Sequence, residues 1–173
     1  MTVVRRTRKG GFTLVEILIV VIILGILAAI VIPQFTSASQ DARKNSLTSQ
    51  LQTLRSQIEL YKLQHLDQLP SGLVAATPVW DQLINKTNAS GTTGTTTAYP
   101  FGPYLQSAPT NPLNGKNAML VVAADQVMGA APSAAATDKG FIINSANGKV
   151  WGVSAKFGYV FDEADPTNIN NEN

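Results

Sequence analysis

The sequence predicts an α+β protein in which one long N-terminal α-helix, membrane-spanning in its first half, packs on a small C-terminal antiparallel sheet. Three observations support this prediction. The segment 12–32 is almost wholly apolar, the segment 47–61 carries a one-sided apolar stripe, and two short apolar runs flank the turn dipeptide Asn147-Gly148. With 173 residues, the chain has room for one modest domain and its extensions.

The positive charge of the chain is concentrated at its N terminus. The formal net charge is +2, but Arg5, Arg6, Arg8 and Lys9 all precede residue 12, and without them nine basic residues face eleven acidic ones. A short terminal run is not a basic patch on a domain, so we expect no nucleic-acid partner. The chain has no cysteine, which excludes disulfides, thiol nucleophiles and thiolate metal ligands.

The apolar segment from Phe12 to Ile32 contains 21 residues and a single charged side chain, Glu16. As a helix rising ~1.5 Å per residue it spans roughly 30 Å, enough to cross the hydrocarbon core of a bilayer. Because the basic run before it is retained in the cytoplasm, the C-terminal side is expected to face outward. An ordinary cleaved signal peptide has a shorter apolar stretch, and a plain membrane anchor gives no reason for Glu16.

The amphipathic segment 33–66 is predicted to continue the helix beyond the membrane. Its apolar residues recur at alternating spacings of four and three, which places them on one helix face. They are Leu47, Leu51, Leu54, Ile58 and Tyr61. Most charged residues, including Lys44 and Arg55, are expected off this face, and Pro70 follows the end of the helix. The stripe is interpreted as core, since it is shorter than three clear heptads of a coiled coil.

The remaining segment, 67–173, is predicted to form a small globular head. Thr77 followed by Pro78 is typical of a helix start, so a short helix is expected over 79–85. The segment 85–98 is rich in Thr, Gly and Asn, and it is expected to be a variable loop.

A small sheet is expected towards the C terminus of the head. Apolar and β-branched runs predict three strands, of which the last two form a hairpin. These strands are 119–123, 140–144 and 149–153. Phe157, Tyr159 and Phe161 alternate and predict one further strand. The acidic tail from Asp162 onward is expected to be frayed and solvated.

A specific motif lies between the basic run and the apolar segment. The sequence Lys9-Gly10-Gly11-Phe12-Thr13-Leu14-Val15-Glu16 resembles the cleavage and methylation motif of type IV prepilin-like proteins. The resemblance implies that residues 1–11 are a leader, that the prepilin peptidase and methyltransferase cuts between Gly11 and Phe12, and that Phe12 is then N-methylated. It also implies assembly roles for Glu16 and Pro33, the fifth and twenty-second residues of the mature chain.

Physical chemistry supports distinct roles for Glu16 and Pro33 beside this resemblance. A carboxylate near the centre of a bilayer costs roughly 2.5–3.5 kcal/mol, so Glu16 requires a partner. In prepilin-like proteins that partner is the amine of the first mature residue, here Phe12, on a neighbouring copy. The alternative is that Glu16 lies one turn from the membrane surface and reaches water. Pro33 removes a helical donor, so it is expected to kink or locally melt the helix, to mark the exit from the membrane, or both.

The head shows a second resemblance. The sequences Gly102-Pro103-Tyr104-Leu105 and Pro109-Thr110-Asn111-Pro112-Leu113-Asn114-Gly115, followed by the hairpin with Trp151, are similar to the major, or G-type, pseudopilins of type II secretion. The proline-rich turn is expected to pin the variable loop to the sheet. The lack of cysteine favours this branch, because many type IV pilins close a C-terminal loop with a disulfide.

The pseudopilin resemblance implies a structural subunit of a periplasmic pseudopilus that drives protein export. It implies a single-pass protein of the inner, cytoplasmic membrane with its head in the periplasm. The implied partners are further copies of the chain, minor pseudopilins, and an inner-membrane assembly platform with its ATPase.

The resemblance also raises the question of calcium, which major pseudopilins commonly bind through a C-terminal loop of clustered oxygen ligands. The candidate metal ligands here are Asp162, Glu163 and Asp165, but they follow the hairpin and do not form such a loop. Calcium needs six to eight oxygen ligands, and the sequence does not assemble them. We therefore predict no cofactor, with calcium as the weaker alternative.

Three other functions stay open at this point. A type IV pilin would form an extracellular fibre for adhesion, motility or DNA uptake. A non-assembling, single-pass membrane-anchored binding domain would keep an intact N terminus. An anchored enzyme is disfavoured, because the sequence has no nucleotide-binding glycine loop or nucleophile motif, and the single histidine, His65, has no evident catalytic partners. We therefore predict that the chain is not an enzyme.

Overall fold

The computed structural model describes residues 11–127, 134–154 and 158–165, and it confirms the α+β, pilin-like fold class. Most of the predicted leader, residues 1–10, lies outside the described residues. The chain divides into two compact units, Met1–Ser39 and Gln40–Asn173.

The long helix α1 runs from Leu14 to Gln64 and contains Pro33 without interruption. Pro33 has no amide hydrogen, so one helical hydrogen bond is missing there, yet the backbone on both sides stays helical. Local melting at Pro33 is therefore not observed in this structure, and a kink there stays a prediction. The helix ends close to the predicted position, because Leu66 and Asp67 adopt left-handed conformations with φ of 54° and 63°.

The first unit is apolar and exposed along its described length. Every residue from 11 to 39 is exposed, and the large apolar side chains between Phe12 and Phe35 keep 40–84% of their accessible surface. Helix α1 is long and apolar enough here to cross a membrane, in agreement with the predicted span.

The C-terminal half of α1 buries the predicted stripe. Its members are 0–2% exposed: Leu47, Leu51, Leu54, Ile58 and Tyr61. One residue differs from the prediction, because Lys44 was expected off the stripe and is buried. Lys44 lies three residues before Leu47 and hence on the same helix face, a position at which a lysine can bury its aliphatic stem.

The segment after α1 is more ordered than predicted. Helix α2, Asp81–Ile84, starts later than the Thr77-Pro78 pair indicated, and the residue before it, Trp80, provides no side-chain cap. The expected loop over 85–98 contains a short antiparallel ladder of β1, Lys86–Thr87, and β2, Thr93–Gly94.

The main sheet has the order β3-β4-β5. Its strands are β3, Met119–Val122, β4, Phe141–Asn144, and β5, Val150–Gly152. Strands β4 and β5 form the predicted antiparallel hairpin, and Gly148 in their turn has a φ of 74° that favours glycine. Strand β3 pairs parallel to β4, so the sheet is mixed and the prediction of an antiparallel sheet is wrong for β3. The connection 123–140 is long enough for this parallel crossover.

The sheet packs against apolar residues on both faces. Phe141 and Ile143 of β4 belong to the cluster that contains the α1 stripe. The intervening Ile142 joins Trp151 and Val160 in a second cluster. This alternation explains why every residue of β4 is buried, since a central strand covered on both faces has no solvent side.

The proline-rich turn is fixed to the sheet region by Asn111, while its predicted role in pinning the variable loop stays a prediction. The side-chain Nδ2 of Asn111 donates to the carbonyl oxygens of Gly140 at 2.8 Å and Val153 at 2.7 Å. Its Oδ1 accepts from the backbone N–H of Leu113 at 2.8 Å. Because Asn111 is fully buried, these bonds replace water for each polar atom of the side chain.

The C-terminal segment does not form the predicted last strand. Phe157 lies outside the described residues, and the observed pairing is a single bridge between Val160 and Val153. Val160 and Phe161 are both buried, in different clusters, whereas Tyr159 is only half-buried. Consecutive buried residues are incompatible with a one-sided strand, which is why the alternating pattern misled the prediction.

Candidate assembly site at the start of the long helix

The first turn of α1 is closed by a capping box formed by Thr13 and Glu16. The Glu16 Oε2 accepts from the backbone N–H and the Oγ1 hydroxyl of Thr13, both at 2.8 Å. In return, the Glu16 backbone N–H donates to Thr13 Oγ1 at 3.2 Å. These bonds satisfy donors at the helix start, where a carboxylate also suits the helix dipole. Sequence analysis identified Glu16 but missed Thr13, although Thr-x-x-Glu is the pattern of this motif.

Glu16 stands alone as a charge on an apolar helix surface. It is the only charged side chain between Phe12 and Ile32, and all of that segment is exposed. Among the described residues, no hydrogen bond reaches its second carboxylate oxygen, Oε1, while Oε2 serves the cap. The carboxylate therefore has one oxygen engaged with its own helix and one that no described residue bonds.

The predicted cleavage position, Gly11 and Phe12, precedes α1. Phe12 is 84% exposed, and a side chain added at Gly11 would meet no described atom within 4 Å. Packing within the described chain therefore does not require a glycine at position 11. A glycine at this position is compatible with a backbone that enters a narrow protease cleft.

Hydroxyl side chains near Pro33 bond to backbone carbonyls of the same helix. Thr36 Oγ1 donates to the carbonyl oxygen of Ile32 at 3.1 Å, and Ser37 Oγ donates to that of Pro33 at 2.9 Å. Pro33 is exposed within this continuous stretch. It therefore interrupts the hydrogen-bond ladder of α1 without ending the helix.

The carboxylates after the hairpin are occupied by protein partners. Arg55 of α1 binds both oxygens of Glu163, through Nη1 at 2.9 Å and Nη2 at 2.5 Å. Asp162 Oδ1 accepts from the backbone N–H groups of Ala164 at 3.0 Å and Asp165 at 3.2 Å. The expectation of a frayed, solvated tail is therefore wrong for Glu163, whereas Ala164 and Asp165 are exposed and residues 166–173 lie outside the described residues.

A second acidic group of the head, Asp125, is also engaged. Its Oδ1 accepts from the side-chain amides of Asn144 at 2.8 Å and Asn147 at 2.9 Å, and its Oδ2 forms an ion pair with Lys149. The hydrogen bond from Lys149 is the main reason why the pKa of Asp125 lies below its usual value. This aspartate thus fixes the loop after β3 to the turn of the β4–β5 hairpin.

These contacts do not fit a calcium site at Asp162, Glu163 and Asp165. Both oxygens of Glu163 face a guanidinium, and within residues 11–127, 134–154 and 158–165 no three acidic or histidine side chains form a metal-binding group. A divalent cation would have to displace Arg55 before Glu163 could serve as a ligand.

A histidine latch, which sequence analysis missed, joins the end of α1 to β1. His65 is buried, stacks on Tyr61 with ring centroids 3.8 Å apart, and meets the edge of Phe101. Its Nδ1 donates to the carbonyl oxygen of Tyr61 at 2.8 Å, and its Nε2 shares a hydrogen bond of 3.0 Å with the Thr87 hydroxyl. Burial, with a smaller effect of Tyr104, raises the pKa of Tyr61 to about 12. The spacing of four residues after Tyr61 places His65 on the stripe, which is the pattern that indicates its burial.

The N-terminal residues match a known family. Residues 6–32 match the family described as the prokaryotic N-terminal methylation motif. The matched range contains the predicted cleavage position, Glu16 and the apolar segment 12–32.

A longer part of the chain is similar to proteins of type II secretion. It is 30% identical over 119 residues to type II secretion system core protein G of Aeromonas hydrophila, covering 67% of this chain and 76% of that protein. The core protein G of Klebsiella pneumoniae is 30% identical over 110 residues, covering 61% and 69%. That of Dickeya chrysanthemi is 41% identical over 58 residues, covering 34% and 38%. No solved structure matches the chain.

Proposed function

This chain belongs to the family of type II secretion system core protein G, the major pseudopilins, and from that premise we propose that it assembles into a pseudopilus through the first turn of α1. Membership favours the pseudopilin over the type IV pilin and the non-assembling anchored domain. The main support for assembly is the position of the Glu16 carboxylate on an otherwise uncharged, exposed helix surface. Only one of its two oxygens is bonded within the chain. The chain itself performs no catalysis in this proposal.

The first step is processing of the N terminus. The prepilin peptidase cuts between Gly11 and Phe12 and N-methylates Phe12. Glycine at position 11 suits this step, because no side chain obstructs the approach of the backbone to the protease. Removal of residues 1–11 also removes the N-terminal basic run and creates a new amine at the edge of the apolar segment.

The second step is pairing of Glu16 with another copy. In the single chain, Thr13 holds Glu16 Oε2 in the cap. On assembly, the amine of Phe12 on the next copy donates to the remaining oxygen, Oε1. An unpaired buried charge costs about 3–5 kcal/mol, whereas a satisfied pair is only weakly stabilising. Glu16 therefore sets the register between copies mainly by penalising every position that leaves its charge unpaired.

The remaining partners follow from the same proposal. The chain is anchored by a single pass in the inner membrane, and its head lies in the periplasm. A membrane platform driven by an ATPase adds copies at the base, and minor pseudopilins share the filament. The uncharged surface of α1 from Ile17 to Ile32 is suited to exchange lipid for neighbouring helices, because both are apolar surroundings.

The proposal is tested with Glu16→Gln, which keeps the shape of the side chain and removes its charge. Cells that lack the native subunit would express the full-length variant, with Glu59→Gln, an exposed glutamate on the same helix, as matched control. We expect Glu16→Gln to be processed and inserted but to lose assembly by about 100-fold or more, judged by sheared filaments and cross-linked oligomers. Glu59→Gln should assemble like the native chain. Equal assembly of both variants would contradict the proposal.

A further inference from the structure

Three segments of the head meet at the guanidinium of Arg55. The side chain starts from α1, donates through Nε at 3.1 Å and Nη2 at 2.5 Å to the carbonyl oxygen of Val150 in β5, and binds Glu163 of the C-terminal segment through two parallel bonds. A two-pronged guanidinium–carboxylate pair is both stronger and more directional than a single charged hydrogen bond. Arg55 therefore connects helix, sheet and C-terminal segment at one point.

The C-terminal segment is also attached by contacts of its own. Val160 forms one bridge with Val153, and the backbone N–H of Phe161 donates to the carbonyl oxygen of Gly152 at 2.9 Å. Phe161 is fully buried in the core, two residues before Glu163. The pair of Arg55 and Glu163 therefore adds a charged attachment beside a residue that core packing also holds.

A similar pairing occurs at Asp125, in the loop after β3. Asp125 places one oxygen on Lys149 and the other on the amides of Asn144 and Asn147. The Oδ1 atoms of those asparagines are themselves occupied, since they accept from the backbone N–H groups of Ala146 at 2.7 Å and Lys149 at 2.9 Å. The side-chain oxygens of this cluster are therefore already bonded to donors of the chain.

We propose that two side-chain ion pairs, Arg55 with Glu163 and Lys149 with Asp125, hold the head of this chain together, and that the head does not use a bound calcium ion. Calcium binding requires carboxylate oxygens that can be shared by one ion. Here the two carboxylates are each neutralised locally, Glu163 at a side chain that is only 18% exposed. A dication bound to Glu163 would displace Arg55 from the carboxylate. The positive charge of Arg55 would then lie beside the carbonyl of Val150 without its anionic partner.

The first test compares the native full-length chain in detergent micelles with millimolar calcium chloride and with EGTA. Both tryptophans, Trp80 and Trp151, lie in the head and are buried, so their fluorescence follows its thermal unfolding. We expect the same midpoint in both buffers. A midpoint that rises by about 3 °C or more with calcium would overturn the proposal, because a ligand that binds only the folded state must raise it. The micellar chain is unassembled, so this outcome is independent of the assembly proposal.

The second test asks whether Arg55 holds the C-terminal segment on the head. Arg55→Gln is compared with Arg43→Gln, an exposed arginine on the same helix. Chymotrypsin cuts after accessible aromatic residues, so cleavage after Phe161 reports release of the segment. We expect Arg55→Gln to be cut there at least about tenfold faster than the native chain, corresponding to loss of a charged hydrogen-bond pair. Arg43→Gln should resist cleavage like the native chain. Unchanged cleavage of Arg55→Gln would overturn the proposal.

Discussion

The two halves of α1 have similar backbones and opposite surroundings. From Leu14 to Ser39 every residue is exposed although most are apolar, whereas the five stripe residues between Leu47 and Tyr61 are only 0–2% exposed. The first half is apolar around its whole circumference, and the second is apolar on one face only. A one-sided stripe can be covered by a single small domain, but an all-round apolar surface needs lipid or several other helices.

Because of this contrast, the second half of α1 contributes to the stability of the head, and the first half is available for contacts with other molecules. The head supplies its own core, so its free energy of unfolding depends on residues such as Leu51 and Phe141. The first half contributes no buried side chain among the described residues, and its sequence is therefore explained by surroundings outside the single chain. Substitutions in the two halves should consequently affect different measurements.

The largest expected effect on stability is that of Leu51→Ala. Leu51 is fully buried in the cluster between α1 and the sheet, and removal of such a side chain costs about 2–5 kcal/mol. The matched control is Leu24→Ala, the same change on the same helix at a residue that is 58% exposed. Denaturant unfolding in micelles, followed by tryptophan fluorescence, should show a clear loss for Leu51→Ala and a change within about 0.5 kcal/mol for Leu24→Ala. Similar losses for the two variants would mean that the halves do not differ as described.

A smaller loss of stability is expected from substitutions at the histidine latch, the contact between His65 and Thr87. His65→Leu leaves the buried Thr87 hydroxyl without its acceptor and should cost about 1–3 kcal/mol. Thr87→Val removes the other partner. In the double variant no buried polar group of this pair remains, so its loss of stability should be smaller than the sum of the single losses. Strict additivity in the same unfolding measurement would show that the two side chains are not coupled.

Sequence periodicity was sufficient for the elements whose partners are local or repetitive. The stripe from Leu47 to Tyr61 defines one helix face, and Asn147-Gly148 defines a hairpin, so α1, β4 and β5 were predicted close to their observed positions. The parallel pairing of β3 with β4 was missed, because it depends on how the connection 123–140 crosses the sheet. Nothing in the local pattern of β3 distinguishes the two directions.

The functional residues were likewise predicted only where the sequence pattern is local. Glu16 was identified because a charge in an apolar segment is conspicuous, and its role in pairing between copies stays a prediction. Arg55 and Glu163 were interpreted as solvated residues, since their pairing joins positions 108 residues apart in the chain. Long-range ion pairs leave no periodic trace in a sequence. His65 was underestimated for a different reason: it does continue the stripe, but a histidine is not counted among apolar residues.

The most direct test of the central claim is N-terminal mass analysis of the protein purified from its native membrane. We expect a mature chain that begins with N-methylated Phe12 and lacks residues 1–11, since only this chain has an amine placed to meet Glu16 of the next copy. A chain that retains Met1 to Gly11 in cells with an active prepilin peptidase would contradict the account. It would leave the exposed apolar half of α1 as a membrane anchor without a role in assembly.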